Sequence, residues 1–256
     1  MKLIDAHCHF DFPVFDGHRD EILARSSSLG IERVVVPGVR QVDWDRVETT
    51  ALAHNALYYC LGIHPWYVDE QSSEEALDEL ERRLRRRPVR CVALGECGLD
   101  RVRGDLERQR PWFEAQVVLA RDLGWPLVIH SVKTHDDVAA ILKSCRFSGR
   151  ALVHGFSGSF EQASKLVELG CKIGVGGVIT HERARKTRST MARLPLAALV
   201  LETDAPDMSP AGVEKGQNSP EYLPRIFDAL AALRNEPEEQ IWQALKDNVE
   251  GLYGWR

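Results

Sequence analysis

His7-Cys8-His9 is the first place where this chain can do chemistry. In an extended segment residues i and i+2 project to the same side, so two imidazoles there can meet one cation. Further along, Glu96, His130, His154 and Asp204 each close a short apolar run. Imidazole with carboxylate suits Zn, Mn, Fe, Co or Ni, and Mg where carboxylates weigh more. Six ligands are too many for one tetrahedral ion and fit two divalent ions that share a carboxylate. Two such ions, ~3.5–4 Å apart, activate water and stabilise attacking and leaving oxygens together. A lone histidine at a strand end is more often a hydrogen-bonded structural residue. The paired histidines and the repetition at five run ends favour ligation.

His64, in Gly62-Ile63-His64-Pro65, ends a further run. The adjoining proline suits a rigid loop start, so His64 reads as a substrate contact or a support for the ligands. Cys8 and Cys97 alternate away from their ligand neighbours and read as packed thiols. His18, His54, His135 and His181 lie in helical or loop contexts and read as surface residues.

Eight apolar, β-branched runs must carry these groups: Lys2–His7, Arg33–Pro37, Tyr58–His64, Val89–Glu96, Pro126–His130, Ala151–His154, Lys172–Gly177 and Leu199–Asp204. Their ends lie 30, 27, 32, 34, 24, 23 and 27 positions apart, close to one βα step each. Continuous rather than alternating hydrophobicity marks strands buried on both faces. Amphipathic stretches fill the gaps, including Glu74–Leu84, Leu106–Leu123 (stopped at Gly124 before Pro126) and Phe160–Leu169 (closed at Gly170). Pro220–Leu233 and Glu238–Leu252 read as two closing helices. No linker divides positions 1–256, which predicts a single-domain α/β (β/α)8 TIM barrel. Barrel enzymes build their sites at strand C-termini, where the candidate ligands fall. An open doubly wound sheet shares the pattern but seldom reaches eight such even units.

Two stretches carry further polar signals. The irregular segment Ala205–Ser219 after the eighth run is long enough to be functional. The seventh loop, Thr180–Arg188, holds Arg183, Arg185, Lys186 and Arg188, which read equally as a phosphate clamp or as a solvated helix start. Five arginines between Arg82 and Arg87 sit at a helix end, where cations complement the dipole and face solvent.

The net charge of −5 argues against a broad basic surface for nucleic acid, although bound cations would supply local positive charge. Six cysteines without a C-x-x-C pair read as free thiols of a reducing compartment, which favours the cytoplasm. No apolar run approaches the ~20 residues of a membrane span, and Asp5, His7 and His9 interrupt any signal-like start. No membrane association and a monomer are expected.

Six blocks in order resemble the TatD family of metal-dependent hydrolases in the amidohydrolase superfamily. They are Asp5-Ala6-His7-Cys8-His9, Gly62-Ile63-His64-Pro65, Gly95-Glu96-Cys97-Gly98-Leu99-Asp100, Ile129-His130-Ser131, His154-Gly155-Phe156-Ser157-Gly158 and Glu202-Thr203-Asp204-Ala205-Pro206. The resemblance runs from Leu3 to about Leu252. Val153–Ser159 and Lys172–Gly177 are most similar to the family's YjjV subgroup. The resemblance implies a (β/α)8 barrel and two divalent metal ions per subunit (Mg, Mn or Zn). His7, His9 and Asp204 would hold one ion, His130 and His154 the other, and Glu96 would bridge them. It further implies a deoxyribonuclease that removes nucleotides from a DNA end. Asp204 would be the base, with Glu96 and His64 beside it in the catalytic set.

Two departures from the family pattern bear on substrate. Val132 stands where many relatives have an arginine, leaving Lys133 to replace it, and Arg101-Val102-Arg103 replaces bulky or aromatic residues. The substrate contacts expected are His64, Lys133, Arg183, Arg185 and Lys186. The rivals are a hydrolase of another ester or amide, such as a lactone or an aminoacyl-tRNA ester, and a non-catalytic metal-binding scaffold. Intact Glu96 and Asp204 count against the scaffold.

Overall fold

The eight apolar runs become eight parallel strands of one sheet, in chain order. They are β1 (Leu3–Asp5), β2 (Ile31–Pro37), β3 (Leu57–Leu61), β4 (Cys91–Asp100), β5 (Leu127–Val132), β6 (Ala151–Val153), β7 (Cys171–Val175) and β8 (Leu199–Leu201). This computed structural model describes residues 1–70 and 73–255, with 70, 73 and 74 as backbone only. Beyond the ladder the sheet closes on itself: the Ala6 amide donates to the Leu201 carbonyl at 2.9 Å, and Asp204 N to His7 O at 2.8 Å. The expected (β/α)8 barrel is the observed architecture.

Nine helices surround it among the described residues: α1 (Arg19–Ser28), α2 (Trp44–Ala53), α3 (Ser73–Arg85), α4 (Leu106–Leu123), α5 (His135–Ser144), α6 (Phe160–Glu168), α7 (Arg185–Arg193), α8 (Leu223–Ala231) and α9 (Glu238–Tyr253). α4 starts at Asp105, whose side chain accepts from the Glu107 amide, and stops at left-handed Gly124. α6 opens with a full capping box between Ser159 and Gln162. Of the arginines ending α3, Arg82 and Arg85 are exposed and Arg83 is half-buried over the Trp44 ring, and they pair with Glu79, Glu81 and Asp45.

Strand alternation sorts the core into two layers. Val34, Val36, Tyr59 and Leu61 face the helices in the larger cluster, whereas Ile4, Val35, Cys60, Val128, Leu152 and Val200 fill the barrel. Val249, Leu252 and Tyr253 of α9 pack on that inner set, and the Tyr253 hydroxyl donates to Ala6 O at 2.8 Å. The N-terminal mouth is therefore plugged, leaving the other end open for a site.

β4 runs further than its apolar pattern suggests, passing Glu96 to reach Asp100, and all ten of its residues are buried. Gly98 permits this: at φ +140° its missing Cβ would stand 2.0 Å from the His130 carbonyl oxygen. β5 likewise contains its candidate ligand, His130, whereas four other strands stop short of theirs. β1 ends at Asp5, β3 at Leu61, β6 at Val153 and β8 at Leu201. The residues beyond bond to neighbouring strand ends as irregular chain, so the apolar run outlasts the ladder.

Candidate metal centre

Asp5 holds the first ligand segment in place. Its carboxylate accepts from the Thr203 amide at 2.9 Å and from the His7 amide at 3.3 Å. The end of β1 is thereby fastened to the segment carrying Asp204. His7 and His9 lie past the strand, yet their rings still meet edge to face with centroids 5.0 Å apart. The His7 ring stacks on His154 at 3.9 Å, so groups from the first and sixth loops share one wall.

Glu96 is the centre of this arrangement, and its two oxygens face different ways. Oε2 lies 3.4 Å from both His7 Nε2 and His9 Nε2. Oε1 lies 2.7 Å from His154 Nε2, 3.1 Å from His130 Nδ1 and 3.2 Å from His64 Nε2. Asp204 Oδ1 approaches His7 Nε2 at 3.3 Å and His9 Nε2 at 3.5 Å. Three overlapping groupings of ligand atoms can therefore hold a cation: His7, His9, Asp204; His7, Glu96, His154; and His64, Glu96, His130. His7 Nε2 and Glu96 Oε2 are buried without a hydrogen-bond partner. Buried polar atoms are normally paired, so orphans of this kind fit a divalent cation.

Electrostatics follow from crowding two carboxylates and five imidazoles out of water. Burial favours the neutral Glu96 carboxyl, yet His154, His64 and His7 hold it well below its usual value. Asp204 is likewise held down against burial by His7 and His154. Burial takes His9 and His64 to about 4. His130 rises to about 9 despite burial, because Asp100 and Glu96 both stabilise its cation. A cation held at His130 would displace that proton, so its affinity would fall as pH drops.

His64 differs from the other imidazoles. Its Nδ1 accepts from the Trp66 amide at 3.2 Å, so the neutral ring carries its proton on Nε2. That nitrogen faces Glu96 Oε1 at 3.2 Å and donates to it, while the His64 side chain lines the cleft.

In the sequence Asp100 is only the last residue of a motif; the structure shows how it supports the centre. Its Oδ2 accepts from Trp66 Nε1 at 2.7 Å and faces His130 Nε2 at 3.2 Å. Its Oδ1 accepts from the Val102 and Arg103 amides at 2.7 and 3.1 Å. Burial alone would raise this carboxyl, but the bonds from His130, Trp66 and Val102 hold it far below the ordinary range. A carboxylate only accepts, so the His130 ring turns Nε2–H toward Asp100 and Nδ1 toward Glu96. Gln109 of α4, fully buried, brackets the Asp100 backbone from both sides. Asp100→Asn is expected to lower metal affinity by about 10- to 100-fold with little change in thermal midpoint. Competition against a chelator of known affinity measures it, and unchanged affinity would free His130 from this control.

The cleft above these groups has a volume of about 80 Å³ and is lined by His9, Phe12, Val39, His64, Trp66, Tyr67, Glu96, His130, His154, Asp204 and Asp207. Lys133, Arg183, Arg185 and Lys186 do not line it; all four are exposed, Lys133 and Arg183 on rim loops and Arg185 and Lys186 in the first turn of α7. Arg188 is tied to the Ile179 carbonyl, which makes it a local brace rather than a free cation. Arg101 pairs with Asp137 at 2.7 Å. Arg103 lies over the Trp66 ring, 4.2 Å from its centroid.

The surface reading of the remaining histidines needs correction. His135 is buried, with Nδ1 at 2.8 Å from Ser131 Oγ and its ring stacked on Phe156 at 4.5 Å. The start of α5 turns inward there because the sixth loop covers it. His54 and His181 are half-buried, and His18 is exposed. All six cysteines are free; Cys8 and Cys97 are buried. No described helix is long and apolar enough to cross a membrane.

Comparison with known proteins gives consistent matches over the chain's length. A family model described as TatD related DNase matches residues 4–254. The chain is 44% identical over 254 residues to a protein of Escherichia coli K12 named "Uncharacterized metal-dependent hydrolase YjjV", covering 98% of each. It is 31% identical over 249 residues to the "3'-5' ssDNA/RNA exonuclease TatD" of Klebsiella pneumoniae, covering 94% of this chain and 93% of that protein. The crystal structure of the E. coli YjjV protein superposes with a TM-score of 0.94, again over 98% of each chain.

Proposed function

The chain belongs to the TatD family of metal-dependent hydrolases, and from that premise we propose that it hydrolyses phosphodiester bonds of DNA from a chain end. One observation carries the reading: the two oxygens of Glu96 face separate sets of imidazoles, with Asp204 beside the first. His7, His9 and Asp204 would hold one divalent ion, His130 and His154 a second, and Glu96 would join them. When bound, such cations polarise a phosphate and acidify water.

The chain's own groups do the rest. Asp204 is charged across neutral pH and lines the cleft, so it can take the proton of an attacking water. His64 lines the cleft, where its side chain can contact a phosphate oxygen or the leaving group. Phe12, Trp66 and Tyr67 offer ring faces to a nucleobase at the cleft wall. Arg183, Arg185 and Lys186, exposed and without an ion pair among the described residues, would meet phosphates further along the strand, as would Lys133. The named activity of the Klebsiella relative supports single-stranded DNA and the 3′ end as the first choice of substrate.

The test is a substrate panel with protein loaded in turn with Mg, Mn and Zn. Single- and double-stranded DNA, RNA, a model phosphodiester, lactones and aminoacyl esters are compared. Cleavage of single-stranded DNA is expected to lead, and the Arg183→Gln/Arg185→Gln/Lys186→Gln protein to bind it with a shallower salt dependence. A loaded protein that turns over only a carboxylic ester or lactone would sink the nuclease reading.

A further inference from the structure

Asp207 is the one carboxylate in the cleft lining that belongs to none of the metal-holding groupings. It stands three residues past Asp204, in the long segment after β8, and its side chain has no hydrogen-bond partner or ion pair among the described residues. Its backbone, by contrast, is fixed. Asn218, itself buried, donates through Nδ2 to the carbonyls of Thr203 at 2.8 Å and Asp207 at 2.7 Å. A chain turn is thus clamped so that an unpaired carboxylate faces the space beside the catalytic groups. The residue is exposed at the cleft edge; partial burial and the negative charge of Asp204 raise its pKa, the Lys215 cation acts against them, and Glu96 adds a smaller push upward.

The rest of the lining makes that charge consequential. Among the described residues no lysine or arginine lines the cleft, and its walls are otherwise the rings of Phe12, His64, Trp66 and Tyr67, the Val39 side chain and members of the ligand set. A phosphate seated at the metal-holding groups finds compensating charge there. A second phosphate on the Asp207 side would find an anion, with Lys215 acting on it from outside the lining. A carboxylate is an acceptor only, so the favourable neighbour is a hydroxyl that donates.

Building on the phosphodiesterase reading, we infer that Asp207 makes the cleft end-specific: it accepts a hydrogen bond from the free terminal hydroxyl of the strand and repels a terminal phosphate. The scissile phosphodiester then lies one nucleotide inside a hydroxyl-bearing end. Continuation of the strand past Asp207 is excluded by charge, so cleavage within a strand is disfavoured by the same residue.

The experiment compares short single-stranded DNAs that differ only at the 3′ end, one closed by a hydroxyl and one by a phosphate. The metal-loaded enzyme is used. kcat/KM is measured for each, and equilibrium binding is followed by fluorescence anisotropy. The wild-type protein is expected to prefer the hydroxyl end by about 10- to 100-fold, the scale of a hydrogen bond to a charged group. In Asp207→Asn that preference is expected to shrink to about threefold or less, and in Asp207→Glu to be largely retained. The readout is a ratio within one protein, so a partly unfolded preparation does not mimic it; Asp207→Ser serves if the Asn variant is insoluble. Equal use of both ends by the wild type, or a preference that survives in Asp207→Asn, overturns the inference and leaves the nuclease reading standing. If the loaded wild type cuts neither oligonucleotide yet hydrolyses a carboxylic ester, the nuclease reading itself fails and takes this inference with it.

Discussion

Glu96→Gln is expected to lower turnover by about 10³-fold or more and to leave the protein short of metal, while the barrel stays folded. The carboxylate presents an acceptor oxygen to each of two imidazole sets, Oε2 to His7 and His9 and Oε1 to His130 and His154. An amide has one acceptor; its other atom is an NH2 donor that cannot ligate a cation. Whichever way the Gln side chain turns, one set loses its shared ligand. Folding should tolerate the change, because the flanking residues of β4 are buried by apolar contacts that the substitution does not touch. It also removes a buried charge, and His7 and His130 then lose the anion that favoured their cations. Metal per chain by elemental analysis, kcat, and thermal denaturation should be read together. Full activity with full metal content would remove Glu96 from the centre.

The ligand set was legible in sequence because its chemistry is local. His-x-His and single acidic or imidazole residues at the ends of evenly spaced apolar runs need only the barrel to converge. The barrel was legible for the same reason: eight runs at one βα spacing have few other solutions. Asp100 was not legible as a support for His130, because β4 outruns its apolar pattern by four residues and only then meets Trp66 from the third loop. Its role is a product of two strand ends lying side by side. The burial of His135 is hidden from the sequence for a related reason. A histidine opening an amphipathic helix looks solvated until Phe156, from a loop one unit later, stacks on it. The apolar runs reach past the strand ends to His7, His64, His154 and Asp204, since hydrophobicity reports burial and not ladder bonding. Asp207 falls in a Pro- and Gly-rich segment, and nothing in its spacing reveals that Asn218 turns it toward the cleft.

Asp204→Asn separates proton transfer from metal holding. The backbone there is left-handed, φ +54°, a conformation that Asn tolerates as well as any residue other than Gly. The segment should therefore keep its course, and the amide at 204 should still donate to the His7 carbonyl. The Asn side chain is nearly isosteric, and its oxygen can face His7 and His9 as Oδ1 of Asp204 does, at 3.3 and 3.5 Å. One cation is then partly retained when Mn or Mg is saturating. An amide oxygen has no useful basicity near neutral pH, so the attacking water loses its acceptor. We expect kcat to fall by about 10²–10⁴, the scale of a lost general base, with KM within a few-fold of wild type. The pH profile adds a second reading. His7 and His154 hold the Asp204 carboxyl below its usual value, so the base form is present at neutral pH and is lost only as pH falls. Wild-type kcat should accordingly drop on the acid side with an apparent pKa that belongs to the water and Asp204 together. In the Asn protein that limb should vanish or move. Steady-state kinetics with metal content measured on the same samples decides the matter. Near-normal kcat in a fully metallated Asp204→Asn protein would assign the proton to His64 or to solvent.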